Sequence, residues 1–509
     1  MSEADFLPAD GPAQVVQRVR AWVALGQDPP DAEQQPAAVG KLRLAGVYDD
    51  RQSGFFMLRT RIPGGKLTTA QADAIAEVAE THSVRPEGAN GPERFVEVTT
   101  RQDLQLHWIR FEDLPAIWER YDAVGLTTLE ACGDTLRNVT TCPVAGRLPD
   151  EVLDAGPVVA ALTALGLTEF QLAAFLPRKF KVTATGCRSD CVIARINDLA
   201  FTPASSAGRI GFNVHAGGGL SDSPRLASQL DLFATPAQVP EVVRAALLLF
   251  KERGDPEHKA VNRFRVLVDQ LGPEQVEAEL RARLPFAPPQ AGEDLSEWRT
   301  EDHLGVRPER EPGRSSVGLC VPVGRLSAAE LAELARLART HGDGELRLTQ
   351  RQDVVLTGVA EQQLDALLEE PLLSRLRPDP DPFASAVVTC TSAPFCKFGL
   401  FDVKEKGLEL IDYLRRTVPD SQRQALDGLR LHVSGCKASC GQTLIGDVGL
   451  RAAVAKDEHR QLEAFDVAAM GAPGAGRLGR WIASELPVEQ AFVKVAELVG
   501  ELAAARSSR

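Results

Sequence analysis

Two distant stretches of the chain carry the same run of apolar and polar positions. Leu58-Arg59-Thr60-Arg61-Ile62-Pro63 reads as a strand and leads through Gly65-Lys66-Leu67-Thr68 into a helical stretch ending Thr81-His82. Val321-Pro322 begins the same course 259 positions later, through Gly324-Arg325-Leu326-Ser327 into a helix ending Thr340-His341. Each helix opens with a capping box, Thr68-x-x-Gln71 and Ser327-x-x-Glu330, which ties up backbone donors left free in a first turn. After a longer loop in the first copy, Thr100-Arg101-Gln102-Asp103 corresponds to Gln350-Arg351-Gln352-Asp353. Further on, Gly186-Cys187-x-x-x-Cys191 before Asn197-Asp198 corresponds to Gly435-Cys436-x-x-x-Cys440 before Gly446-Asp447. Chance likeness between Ala- and Leu-rich helices would not keep these pairs in one order, so the chain is internally duplicated.

The pattern predicts a mixed α/β (α+β) protein in which each copy is a small strand–helix–strand–helix unit followed by a larger α/β unit. The expected division is an N-terminal extension (1–40), a first half-unit (41–128), a first α/β domain (129–284), a linker (285–311), a second half-unit (312–378) and a second α/β domain (379–509). The linker is rich in Pro, Gly and charge and has no sustained periodicity. The two half-units are expected to pair into one domain about a pseudo-twofold axis.

The copies differ where chemistry would sit. In the first, Arg59 and Arg61 are expected on one strand face, and Thr99, Arg101, Asp103, Gln105 and His107 on another, with Leu104, Leu106 and Trp108 pointing away. Arg137 and the pair Lys179 and Lys181 add further cations, and the second copy lacks most of these charges. Any one of them reads best as a solvated surface charge; as a set on strand faces they point to an anion or polyanion pocket. The second copy instead holds four cysteines, Cys390-x5-Cys396 and Cys436-x3-Cys440, a donor set for a [4Fe–4S] cluster or a structural Zn²⁺. Cys142, Cys187 and Cys191 form an incomplete set, with Leu148 in the fourth place, and read as a remnant. Cys132 and Cys320 read as buried packing residues. Gly474-x-Gly476-x-x-Gly479 imitates a dinucleotide fingerprint but has too little chain after it, so it reads as a turn. Gly217-Gly218-Gly219 reads as a permissive loop or as amides that could approach a carboxylate.

Composition narrows the class. Among 509 residues, 57 Lys and Arg stand against 70 Asp and Glu, a net charge of −13 that argues against a nucleic-acid or membrane-surface binder. The apolar stretch Ala155–Leu167 is too short to span a bilayer, and the acidic start Met1-Ser2-Glu3-Ala4-Asp5 lacks a signal peptide's basic region. The expectation is a cytoplasmic protein, with free thiols rather than a disulfide framework.

At Leu58–Gly65, Thr100–Trp108, Arg137–Asn138, Leu176–Lys181, Cys390–Cys396 and Ser434–Gln442 the sequence resembles the sirohaem-dependent nitrite and sulfite reductase family. The resemblance runs from about Lys41 to Gly471. It implies ferredoxin-like half-units, a [4Fe–4S] cluster on Cys390, Cys396, Cys436 and Cys440, and Cys440 as the sulfur shared with the sirohaem iron. It also implies an anion held by Arg61, Arg137, Lys179 and Lys181, and a sirohaem lined by Arg59, Arg101, Gln105, His107 and Arg178. Sirohaem carries about eight carboxylates, so its pocket must be cationic even in an acidic protein.

The activity implied is six-electron reduction of sulfite to sulfide or nitrite to ammonia, with electrons from a carrier such as ferredoxin. Lys181, where nitrite reductases often have Asn, tilts the expectation slightly to sulfite. Thr99-Thr100-Arg101-Gln102 weighs against it, as does Thr135 at the place of a cysteine that some sulfite reductases cross-link to Tyr, and a slight lean to sulfite is left. The competing readings are a precorrin-3B-synthase-like monooxygenase and a non-catalytic Fe–S or zinc protein.

Overall fold

The computed structural model describes residues 10–30, 35–255, 257–258, 262–299, 301–457 and 460–507; the acidic start Met1–Asp5 lies outside them. The half-units pair by exchanging strands. The first copy's sheet runs Val47–Asp49, Phe55–Thr60, Leu104–Arg110 and Phe95–Val98, and its last neighbour is Arg325–Ser327 from the second copy. The second copy's sheet runs Gly305–Pro308, Arg314–Leu319, Val354–Ala360 and Glu345–Leu348, and ends on Lys66–Thr68 from the first. Leu326 pairs with Val96 and Leu67 with Leu346, so each copy completes the other. Both capping boxes are formed at the starts of Thr69–His82 and Ala328–His341, and the apolar faces of these helices share one core with both sheets.

The Arg-Gln-Asp motif explains why the repeat is kept. Asp103 accepts from the Ile62 amide at 3.2 Å, and Asp353 accepts from the Val321 amide at 2.9 Å. Gln102 Nε2 donates to the Leu348 carbonyl at 2.8 Å, and Gln352 Nε2 to the Val98 carbonyl at 2.7 Å. Each glutamine thus satisfies a buried carbonyl of the opposite copy, where an unpaired one would cost about 1–3 kcal/mol.

The residues expected to form an N-terminal extension are part of this core. The helix Pro12–Ala24 buries Val15, Val19 and Trp22, and Trp22 meets Phe111 edge-on at 6.1 Å. The linker also holds more structure than its composition suggested. Glu293–Asp294 pairs with Ala204 and Ser205, and Gly305–Pro308 is the edge strand of the second copy's sheet.

The two larger units repeat each other. In one, Val182–Ala184 lies parallel to Leu199–Ser206, which pairs with Arg209–Ala216 and then Ser228–Ala234. In the other, Leu431–Ser434 lies parallel to Val448–Asp457, which pairs with Arg460–Ala469 and then Arg480–Pro487. The chemistry-bearing loops follow the first strand of each parallel pair. Gly474–Gly479 falls in the connection between two antiparallel strands, a turn as expected. The amides of Gly217, Gly218 and Gly219 already donate to Asp198, Asn197 and Arg225 carbonyls, so they are not offered to a carboxylate. Gly218 is required for close packing, since a Cβ there would stand 2.2 Å from the Arg195 carbonyl oxygen. Among the described residues, no helix is long and apolar enough to cross a membrane.

Candidate functional site

The cations of the first copy meet because two short segments run side by side. Leu136 bridges Phe180 and Thr140 bridges Thr183 in parallel, with the Arg137 amide donating to the Phe180 carbonyl at 2.9 Å. Leu136 and Phe180 point into the core, so Arg137, Lys179 and Lys181 share the opposite side. Arg59 joins them from its strand, held by Gln105, whose Oε1 accepts from Arg59 Nε at 3.0 Å. Gln105 in turn donates to Thr391 at 2.8 Å, which ties this arginine to the residue after Cys390. Thr100 Oγ1 donates to the Cys440 carbonyl at 3.0 Å, setting the cation face against the last cysteine of the quartet.

Electrostatics report the same convergence. Burial, followed by the charges of Arg263, Arg137 and Arg178, pulls Lys179 down to about 8 against the opposing influence of Cys440. Burial, Arg101, Lys179 and Arg263 hold Lys181 well below the ordinary lysine range, again opposed by Cys440. Arg59 is pulled down by burial, but Cys132, Asp103 and Cys440 outweigh it and hold the guanidinium above its usual value. Neither lysine ammonium has a hydrogen-bonded or ion-paired partner among the described residues. The face is therefore an excess of positive charge awaiting an anion.

Four expected site residues stand differently. Arg61 is turned away: its strand ends at Thr60, and the fully buried guanidinium donates to Glu130 at 3.1 Å. Arg59 and Arg61 therefore do not share a face. His107 does not open on the cation face either; it is buried between Asp50, at 3.2 Å, and the Phe395 ring, stacked at 4.2 Å between centroids. Trp108, expected on the far side, packs on the same Phe395 at 4.7 Å because a left-handed residue (φ 61°) breaks the alternation. Arg101 spends its guanidinium on Asn197 Oδ1 at 2.8 Å and the Asn138 carbonyl at 2.5 Å, as its repeat Arg351 does on the Ser385 carbonyl. Its role is to position Asn138 and the strand beside it. Arg178 is half-buried in an ion pair with Asp134 at 2.9 Å.

The quartet sits on two loops. The Cys390 amide donates to the Val433 carbonyl and its Sγ accepts from the Gly435 amide at 3.1 Å, joining one loop to the other. Residues of the first copy hold the Cys390–Cys396 loop from outside: the Arg51 amide donates to the Phe395 carbonyl at 2.8 Å, and Asp49 pairs with Lys397 at 2.5 Å. Burial raises Cys390 and holds Cys436 at about 11, so these thiols keep their protons near neutrality until a metal displaces them. Among the described residues, only Cys142, Cys187 and Cys191 bring three ligand atoms within 4.8 Å of one another. The quartet is wider than the ligand shell of one ion, which suits a cluster over a single zinc.

Several contributors escaped the sequence reading. Arg263 Nη2 donates to both carboxylate oxygens of buried Asp198, at 3.0 and 2.9 Å, and Asp198 also accepts from the Lys181 amide at 2.9 Å. Nothing in a Pro-, His- and Asn-rich connection marks that arginine, although Asp198 in the repeated Asn-Asp motif is its visible partner. Cys132 is not merely packing. It is a close neighbour of Tyr48, Arg59 and Arg137, so a cysteine does stand near a tyrosine at this pocket, three residues before Thr135.

Residues 132–287 match the model of the nitrite and sulphite reductase 4Fe-4S domain, and residues 48–124 and 307–373 match that of the nitrite/sulfite reductase ferredoxin-like half domain. The assimilatory ferredoxin-dependent nitrite reductase of Haloferax mediterranei is 38% identical over 495 residues, covering 92% of this chain and 83% of that one. The chain belongs to the nitrite and sulphite reductase family. A ferredoxin–nitrite reductase of Synechococcus elongatus is 37% identical, covering 88% of this chain and 84% of its own. The NirA protein of Mycobacterium tuberculosis superposes with a TM-score of 0.87 at 26% identity, covering 96% of this chain and 91% of that one.

Family membership makes this an oxidoreductase whose cofactors are sirohaem and a [4Fe–4S] cluster, and the residues fit both. The quartet supplies four thiols on converging loops. The cation face supplies two unpartnered lysines beside Arg59 and Arg137, the charge a polycarboxylate macrocycle and its anionic substrate require.

Proposed function

We propose that this chain reduces nitrite to ammonia with electrons from a ferredoxin. The observation that carries this reading is the convergence of Arg59, Lys179 and Lys181 on Cys440, with Arg137 beside Arg59 and Lys179. Bound sirohaem and cluster would relay to the anion the six electrons that the ferredoxin supplies. The protein's own part is to bind the anion, neutralise its growing charge and deliver protons. Arg59, fixed by Gln105, takes the anion-holding role expected of Arg61, with Arg137 beside it. Lys179, held at about 8, gives up its Nζ proton near neutral pH more readily than an ordinary lysine. Cys390, Cys396, Cys436 and Cys440 hold the cluster, while Arg101, Asp198 and Arg263 fix the strand that presents Lys181.

The names of the relatives support nitrite, against the slight sequence-based lean to sulfite. Two observations favour sulfite as the second reading: the unpartnered ammonium of Lys181, suited to a dianion, and the closeness of Cys132 to Tyr48. Steady-state kinetics with reduced ferredoxin decides between them. A kcat/KM for nitrite at least about tenfold above that for sulfite, a difference of about 1.4 kcal/mol in transition-state binding, supports the first reading. The reverse order supports the second. Lys181→Asn should move the ratio further toward nitrite in either case.

A further inference from the structure

The three cysteines that read as a remnant converge on one point. Cys142 follows the segment that bridges Thr183, and Cys187 and Cys191 lie on the loop after the strand Val182–Ala184. Their sulfur atoms lie within 4.8 Å of one another, and all three residues are buried. They form a small cluster of their own, apart from the main cores, with Leu148 packed at its side.

The missing fourth donor comes from the linker. The Glu297 amide donates to the Arg188 carbonyl at 2.8 Å, and the Asp190 amide to the Arg299 carbonyl at 2.6 Å, so the linker is laid across the cysteine loop. This delivers His303, whose Nε2 stands 3.7 Å from Cys142 Sγ. Ligands at the usual Zn–S of about 2.3 Å and Zn–N of about 2.0–2.1 Å stand roughly 3.6 Å apart in a tetrahedron, close to this separation. His303 is 3% exposed, its Nδ1 has no partner, and its backbone is left-handed at φ 63°. An imidazole driven into an apolar cluster in a disfavoured conformation, with one nitrogen unsatisfied, is costly unless its other nitrogen gains a strong bond. Nε2 does not lie within 4.8 Å of all three sulfurs at once, so closing the site requires a small turn of the ring.

We propose that Cys142, Cys187, Cys191 and His303 form a structural Zn²⁺ site that pins the linker to the first α/β domain. Three thiolates and one imidazole are a soft, closed donor set of the kind that zinc fills without an open position for substrate. The thiols lose their protons to solvent on binding, and no redox change is involved. The tight grouping distinguishes the site from the wider quartet, so it takes one ion and not a second cluster.

Metal analysis of the purified holoenzyme tests this. The expected result is about one zinc per chain beside the iron of cluster and sirohaem, with zinc-edge X-ray absorption showing three sulfurs near 2.3 Å and one nitrogen near 2.0–2.1 Å. The double variant Cys187→Ser/Cys191→Ser should lose that zinc and keep its iron and haem absorbance. His303→Ala should keep the sulfur shell and lose the imidazole scattering. If the double variant does not fold, the absorption spectrum of the wild type decides alone. Zinc below about a tenth per chain, a zinc shell without sulfur, zinc retained in the double variant, or a disulfide between any two of the three cysteines would overturn the proposal.

Discussion

Arg59 and Arg61 are separated by one threonine and end in opposite environments because their strand stops between them. Period-two alternation held for the lysine pair around Phe180, where the core residue fixes the phase, and failed for the arginines, where the chain leaves the sheet. Trp108 was misplaced for a related reason, its own left-handed backbone, which no local signal announces. The buried Arg61–Glu130 pair has its own consequence. Arg61→Met alone leaves a buried carboxyl uncompensated and should lower stability by about 3–5 kcal/mol, whereas Arg61→Met with Glu130→Leu should recover most of it. Urea denaturation of the three proteins measures this. Arg59→Gln, in contrast, should cost about 10²-fold in kcat while cluster and haem absorbance remain, as loss of a transition-state donor does.

Among the elements, the strand Phe95–Val98 carries the densest junction. Glu97, buried, pairs with Arg325 of the exchanged strand at 2.7 Å and accepts from Thr391, beside Cys390, at 2.7 Å. Lys404 of the second α/β domain lies 3.9 Å away and His107 3.8 Å. Burial raises this carboxyl, but Lys404, Arg325 and His107 more than reverse it and leave it at about 2, below the ordinary value of 4.5. A depressed carboxyl stabilises the fold fully above its unfolded value and loses that contribution as pH falls through the folded one. The stability gap between wild type and Glu97→Gln should therefore be constant above about pH 4.5 and shrink toward about pH 2, read by denaturation at each pH. The strands, the capping boxes and the paired Arg-Gln-Asp motifs were legible because each is encoded twice. The junction was not, since its five members come from five separate segments of the chain. The linker strands were hidden for another reason: they are edge strands of two and four residues that pair on one side only, too short to show alternation.

For the whole molecule, a net charge of −13 sets a problem for receiving electrons from an acidic carrier. The loop between Cys436 and Cys440 offers a local answer, since Lys437 is exposed there between two cysteines of the quartet. Lys437→Glu should raise the KM for ferredoxin several-fold at low salt, with a smaller difference at high salt and no change with a small neutral reductant. The pairing of two halves was evident from the repeat, but their interlocking was not, because the exchanged strands are only three residues long. That interlock bears on how the protein is made. The first half leaves the ribosome with the edge of Phe95–Val98 bare, and its covering strand, Arg325–Ser327, is not yet translated. At roughly 5–20 residues per second the wait is about ten to fifty seconds, during which an open strand edge can capture a neighbouring nascent chain. Synthesis of this enzyme thus passes through an interval in which its first half carries an uncovered strand edge, however stable the finished molecule proves to be.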